Sequence, residues 1–150
     1  MATYEDIAKS IKKRALKSVY LIAGDEPLFI DQLAELFLSE VIPADEQDFN
    51  LSVLYGADVS ARDILLDALR FPMMGERVLV LVKEAQQVQD IEQIASHIND
   101  LPQSTCLVLC YKKKPDKRKN LYKTLQAEDA VYESTRIYDS KIPDFITKSF

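Results

Sequence analysis

The stretch VYLIAGDEPLFIDQLAELFL, residues 19–38, decides the fold. It opens with a short apolar run that ends at Gly24, as expected for a strand buried on both faces. Pro27 is favoured in the first turn of a helix, and apolar residues then recur at about 3.6-residue spacing up to Val41, just before Pro43. The stretch therefore predicts a buried strand, a sharp turn and an amphipathic helix.

The same alternation continues on both sides of this stretch. Further strands are predicted at residues 49–55, 78–82, 105–111 and 131–132, and further helices at residues 4–11, 60–69, 88–98 and 117–127. Ser60 followed by Asp63 is typical of a capped helix start, and Pro72 disfavours a helix running through the residue before it. Strands that alternate with helices predict an α/β fold of three α/β/α layers around a five-stranded, mainly parallel sheet.

The bulk composition is that of a compact protein. The chain has 150 residues, of which 47% are hydrophobic, and only 3 glycines and 6 prolines. No apolar run approaches the roughly 18 residues of a membrane span, and the N-terminus offers no apolar signal region. We therefore expect a soluble, cytoplasmic protein without a membrane partner. The formal charge of −5 disfavours broad coating of nucleic acid, so any DNA contact has to be local.

The two cysteines lie four residues apart, in CLVLC. In a strand, Cys106 and Cys110 would be separated by about 13 Å, which exceeds the roughly 7 Å limit for a disulfide. We expect two buried thiols.

The turn at residues 24–27 occupies the position where related folds bind phosphate. A phosphate loop needs GxxxxGK followed by Ser or Thr, whereas this turn reads Gly-Asp-Glu-Pro. After the strand 78–82, where a magnesium-binding ATPase places acidic residues, the chain has Lys83 and Glu84. Glu84 is interpreted as a solvated residue, and His97 as a surface or half-buried side chain without ligand-forming neighbours. The sequence therefore predicts no catalytic, cofactor or metal site.

An apolar loop stands where polar turn residues would be normal. Phe71, Pro72, Met73 and Met74 lie between a predicted helix and a predicted strand. They could simply tuck under the sheet. They could equally form an exposed, adaptable contact with a protein partner.

A basic run follows the strand 105–111. Six bases fall within eight residues: Lys112, Lys113, Lys114, Lys117, Arg118 and Lys119. A solvated loop is one interpretation. A contact with DNA or an acidic partner is the other, and the acidity of the rest of the chain makes a local basic patch more noticeable.

Five segments together carry a family resemblance. They are VYLIAGDEPLFIDQL (19–33), DFNLSVLYG (48–56), LRFPMMGERVLVLV (69–82), PDKRKNLYKTL (115–125) and SKIPDFI (140–146). In this order and spacing, they resemble the N-terminal domain of the delta subunit of the bacterial DNA polymerase III clamp loader. That domain is AAA+-like and has no functional phosphate loop, which agrees with the turn at 24–27.

The resemblance implies a subunit that binds the sliding clamp (the beta subunit) and helps to open it, while other subunits hydrolyse ATP. The clamp contact would map to Pro72, Met73 and Met74, with Phe71 beside them; many relatives have Phe or Leu where this chain has the two methionines. Residues 1–139 would form the AAA+-like domain, and residues 140–150 would begin a helical second domain. Further partners would be the loader ATPase and delta-prime subunits, and DNA within the assembled loader.

Two other functions stay open at this stage. One is a degenerate phosphate-loop domain that scaffolds or regulates a different protein partner. The other is an NTPase with an unusual loop.

Overall fold

The computed structural model describes residues 2–135. The helical segment predicted at residues 140–150, and the domain boundary predicted before it, lie outside the described residues. The helices are α1 (Tyr4–Lys12), α2 (Pro27–Glu40), α3 (Gln47–Asn50), α4 (Ala61–Ala68) and α5 (Asn120–Ala127). The strands are β1 (Val19–Gly24), β2 (Leu51–Tyr55), β3 (Val78–Lys83), β4 (Thr105–Tyr111) and β5 (Val131–Ser134). Short 3-10 helices lie at Ala44–Glu46, Gly56–Asp58 and Ala85–Gln87, and a longer one lies at Ile91–Asp100.

The five strands form one sheet in the order β2-β3-β4-β1-β5. Every pairing is parallel, with Val19 opposite Leu107 and Leu51 opposite Leu79. In a parallel sheet all carboxyl ends meet at one edge. The β1–α2 turn and the ends of β3 and β4 therefore lie at this carboxyl edge, whereas the α4–β3 loop lies at the opposite, amino edge. The predicted α/β class is confirmed.

Helices cover both faces of the sheet. α1 packs on α2, which crosses β1, β4 and β5, while α4, α5 and the 3-10 helix Ile91–Asp100 pack together. Right-handed crossovers place these two groups on opposite faces. The central strands are buried along almost their whole length, which is why they consist of continuous apolar runs. Within residues 2–135, no helix combines the length and apolarity needed to cross a bilayer.

The start of α4 agrees with its sequence signal. The Ser60 side chain accepts a hydrogen bond from the Asp63 amide, and the Asp63 carboxylate accepts one from the Ser60 amide. This is a complete capping box, which satisfies two amides that the helix itself leaves without partners.

The segment predicted as an α-helix at residues 88–98 is different in the structure. It is a 3-10 helix that begins at Ile91, so Val88 lies outside it. Its one fully buried residue is Ile94. Ile91 and Ile94 are three residues apart, and this spacing suits a helix with three residues per turn.

Two other boundaries also shift. The strand predicted from Phe49 begins at Leu51, because Phe49 and Asn50 belong to α3. The helix predicted from Lys117 begins at Asn120. There the Asp116 carboxylate accepts a hydrogen bond from the amide two residues later, which closes a turn before the helix.

Candidate functional site

The apolar loop between α4 and β3, residues 71–74, projects from the amino edge of the sheet. Phe71 is 73% exposed, Met73 59% and Met74 94%, and Pro72 is half-buried. The alternative that these side chains tuck under the sheet is therefore wrong for the phenylalanine and both methionines. Exposed apolar side chains gathered on one loop are typical of a protein-contact surface.

The Asn50 side chain fixes the backbone of this loop. It is fully buried, its Oδ1 accepts the Met73 amide at 2.8 Å, and its Nδ2 donates to the Met73 carbonyl at 3.0 Å. The same Nδ2 lies 3.2 Å from a carboxylate oxygen of Glu46. Met74 has a φ of 61°, in the left-handed region that non-glycine residues rarely adopt. The loop backbone is thus fixed while its apolar side chains face solvent.

Arg70 fixes the other end of the loop. Its guanidinium donates to the Phe49 carbonyl at 3.1 Å and to the Ser52 hydroxyl at 3.2 Å, and it lies 3.2 Å from Asp67. Neither Asn50 nor Arg70 was predicted from the sequence. The signal for Asn50 was a polar residue at the inner end of a predicted apolar strand, but its partner is 23 residues away in the chain.

The β1–α2 turn uses its polar groups internally. The Gly24 amide donates to the Lys113 carbonyl at 3.0 Å, and the Leu28 amide donates to the Glu26 carboxylate at 3.3 Å. The Ser134 hydroxyl lies 2.9 Å from the Glu26 carbonyl and 3.3 Å from that of residue 23. Gly24 has a φ of 133°, and a Cβ there would lie 2.0 Å from the Ser134 carbonyl oxygen. Because this corner is tightly packed and the Gly24 amide already donates to a carbonyl, the turn is not arranged to bind a phosphate.

A polar network joins the carboxyl ends of β3 and β4. Lys112 Nζ lies 3.0 Å from Asp31 and 3.2 Å from Glu84, and Gln86 donates to Glu84 at 2.9 Å. Hydrogen bonding to Asp31 raises the pKa of Lys112. Burial raises the pKa of Glu84, but hydrogen bonds from Gln86 and Lys112 outweigh it, so that pKa is lowered. The interpretation of Glu84 as a merely solvated residue is therefore wrong.

Most of the basic run is paired with acids of the same chain. Ion pairs join Lys112 to Asp31 and Glu84, Lys114 to Asp25, Lys117 to Glu133, and Arg118 to Asp116. Hydrogen bonds from Arg118 lower the pKa of Asp116 to about 2. Lys113 and Lys119 are exposed and have no ion pair to another described residue. Four of the six bases therefore already have acidic partners within the described part of the chain, and Lys113 and Lys119 do not.

The remaining candidate residues form no reactive centre. His97 is exposed and lies 3.3 Å from Asp100, on the surface as expected. Among residues 2–135, no three His, Cys, Asp or Glu side chains are arranged to hold a metal ion. Cys106 and Cys110 are buried free thiols, and burial raises the pKa of each to about 12.

The sequence matches the model of a known protein family. A family model described as DNA polymerase III, delta subunit, matches residues 20–135. The chain belongs to this delta subunit family.

Relatives of known name support the assignment. DNA polymerase III subunit delta of Bacillus subtilis is 28% identical over 93% of this chain. The chain spans 44% of the length of that relative. The solved structure of the Bacillus subtilis DNA clamp loader delta protein is also 28% identical, with a TM-score of 0.83 over 97% of this chain and 46% of that protein.

More distant structures share the fold alone. A gamma subunit-related protein of DNA polymerase III from Thermotoga maritima is 16% identical, with a TM-score of 0.59 over 97% of this chain and 49% of its own. The RuvB Holliday junction branch migration motor of the same organism is 22% identical, with a TM-score of 0.54 over 97% and 47%. These similarities agree with the three-layer α/β fold predicted for this delta-family chain.

Proposed function

We propose that this delta-family chain binds a sliding clamp through the loop at residues 71–74 and helps to open the ring for loading onto primed DNA. The observation that carries the proposal is the loop itself, whose apolar side chains are exposed while Asn50 fixes its backbone. A fixed loop loses little conformational freedom on binding, so more of the apolar contact energy becomes affinity. Flexible Met73 and Met74 side chains can adapt to a hydrophobic pocket.

Opening would follow from differential affinity. A protein that binds the opened clamp more tightly than the closed ring shifts the equilibrium by the difference between the two binding free energies. No nucleotide hydrolysis by this chain is required. The packed turn at Gly24 and the Lys112 network at the ends of β3 and β4 support a non-catalytic role, with ATP hydrolysed by other loader subunits.

The test is clamp binding by Met73→Ala and Met74→Ala, singly and together. Truncation of a central apolar anchor costs about 2 kcal/mol or more, so at least one variant should weaken binding by roughly 30-fold. The matched control is Leu28→Ala, which truncates a partly exposed apolar residue at the opposite edge of the sheet. Unchanged affinity in the double variant would remove this loop from the contact.

Two further measurements separate the competing functions. Saturable binding of ATP with magnesium at micromolar ligand would contradict the non-catalytic proposal and favour an NTPase. A wild-type chain that fails to bind the cognate clamp, yet captures another protein through Met73 and Met74, would favour a scaffolding domain. Either result would leave the fold and the family unchanged.

The other partners follow from the family and are also proposals. The ATPase and delta-prime subunits would assemble mainly with parts of the protein that follow residue 139. For DNA, the bases with the best access are Lys113 and Lys119, since the other four bases of the run have acidic partners. The test is charge reversal at these two lysines in the assembled loader. If the salt dependence of its DNA binding stayed unchanged, the basic run would be a solvated loop without a DNA contact.

A further inference from the structure

A second basic cluster lies at the amino edge of the sheet, beside the apolar loop. It consists of Lys12, Lys13 and Arg14 at the end of α1, together with Arg77 just before β3; we call it the amino-edge basic cluster. The Arg77 Nη2 donates to the Arg14 carbonyl at 2.8 Å, which holds the two chain segments together. None of the four has an ion pair to another described residue. By contrast, four of the six bases in the run at the carboxyl edge form ion pairs with acids of the chain.

Two arginines of the amino-edge basic cluster and Met74 of the apolar loop line one groove. The groove has a volume of about 360 Å³, and its lining includes Arg14, Arg77 and Met74. Apolar residues at the end of α2, including Ile42, form another part of its wall. A partner that covers Met74 therefore meets the two arginines at the same time.

The size of a stable interface requires a contact wider than the loop. A specific protein interface buries about 800 Å² on each partner, which four loop residues cannot provide alone. The partner must extend over neighbouring surface, and the adjoining groove is lined by Arg14 and Arg77. Covering cations with a neutral surface would remove their hydration without replacing it. Carboxylates on the partner would replace that hydration.

We propose that the amino-edge basic cluster receives an acidic segment of the same sliding clamp whose pocket takes Met73 and Met74, and that this contact accelerates association. The inference rests on the proposed function, and it adds the chemistry of the partner surface and a kinetic role. Charges at the rim of an interface act mainly on the association rate and its salt dependence, whereas buried apolar anchors act mainly on dissociation.

A protein partner fits this groove better than nucleic acid does. Glu46 and Glu76 also line it, and they would repel a phosphate backbone lying along the groove. Binding of nucleic acid through charge requires several cations that follow successive phosphates, whereas the chain carries a net charge of −5. An acidic protein segment can place its carboxylates on the arginines and avoid the two glutamates.

The experiment measures association and dissociation rates with the cognate clamp over a range of salt concentrations. The test variant is Lys13→Glu/Arg14→Glu, in which both side chains are exposed. We expect about tenfold slower association at low ionic strength, a weaker salt dependence and a nearly unchanged dissociation rate. The control variant is Arg62→Glu/Lys123→Glu, which makes the same change in net charge at exposed positions away from the groove. It should keep the wild-type rate within about twofold.

The outcomes distinguish this inference from the proposed function. If Met73→Ala/Met74→Ala loses binding while Lys13→Glu/Arg14→Glu keeps the wild-type rate and salt dependence, the inference fails and the loop contact stands. Equal slowing in both charge variants would mean a bulk charge effect and would also overturn it. If the wild-type chain does not bind the clamp, the proposed function fails first. Binding of labelled single-stranded or duplex oligonucleotides that Lys13→Glu/Arg14→Glu abolishes would assign the cluster to nucleic acid instead.

Discussion

Replacing Asn50 with alanine tests whether this side chain fixes the backbone of the apolar loop. The change removes two hydrogen bonds to the Met73 backbone and one to the Glu46 carboxylate. Neutral hydrogen bonds contribute about 1 kcal/mol each and one to a charged group about 1.5 to 3 kcal/mol. Because the loop is near solvent, water can replace part of this loss. We therefore expect a destabilisation of about 2 to 4 kcal/mol.

The free energy of unfolding is measured by urea titration. The chain has no tryptophan, so far-UV circular dichroism is the appropriate signal. With a slope of about 2 kcal/mol per molar urea, the midpoint should fall by roughly 1 to 2 M. Hydrogen exchange provides a local measurement, because the Met73 amide should be protected in the wild-type chain and should exchange at least about tenfold faster in Asn50→Ala.

Two further variants show whether the reasoning holds. Asn50→Asp keeps the acceptor for the Met73 amide but loses both donors and adds a second carboxylate beside Glu46. It should be at least as destabilised at neutral pH, because the two carboxylates repel each other. Asn99→Ala, at an exposed position, should change stability by less than about 0.5 kcal/mol. An equally small effect for Asn50→Ala, with unchanged exchange at Met73, would refute the assigned role.

Three other predictions concern the sheet and its carboxyl edge. Gly24→Ala should destabilise the chain by roughly 3 kcal/mol or more in the same urea titration, because its Cβ would meet Ser134 and its φ suits glycine alone. Lys112→Met should lower the free energy of unfolding by about 1 kcal/mol at pH 7. Because the pKa of Lys112 is raised in the folded chain, the stabilisation by its charge is complete below the ordinary lysine pKa and is lost as pH rises through the pKa of the folded chain. Cys106 and Cys110, with pKa values raised to about 12, should resist thiol labelling at pH 8 until the chain is unfolded, and rapid labelling of the native chain would contradict their burial.

The sheet could be predicted from sequence because its signals are local. A continuous apolar run such as Thr105–Tyr111 indicates a buried strand without reference to any partner, and the structure places that strand at the predicted residues. The apolar loop was recognisable for the same reason, since apolar residues in a turn are unusual wherever they pack. Its exposure was open until the structure showed Met74 to be almost fully solvent-exposed.

The missed features depend on contacts between distant residues. Asn50 holds a loop 23 residues away, and Lys112 joins acids that precede it by 81 and 28 residues. Nothing in their neighbouring sequence specifies those partners. The segment at Ile91–Asp100 was predicted as an α-helix because, over a short segment, an apolar spacing of three residues fits both an α-helix and a 3-10 helix.

The polar groups at the two edges of the sheet differ in whether they have partners within the chain. This difference bears on where the proposed clamp contact lies. At the carboxyl edge, Lys112 binds two carboxylates of its own chain and the Gly24 amide binds a backbone carbonyl, so both groups already have partners. At the amino edge, Met74 is exposed, and neither Arg14 nor Arg77 forms an ion pair with another described residue. An exposed Met74 beside two arginines without ion pairs adds little to the stability of the fold itself. A partner that is itself apolar and acidic would complement both, which favours the proposed clamp contact at the amino edge.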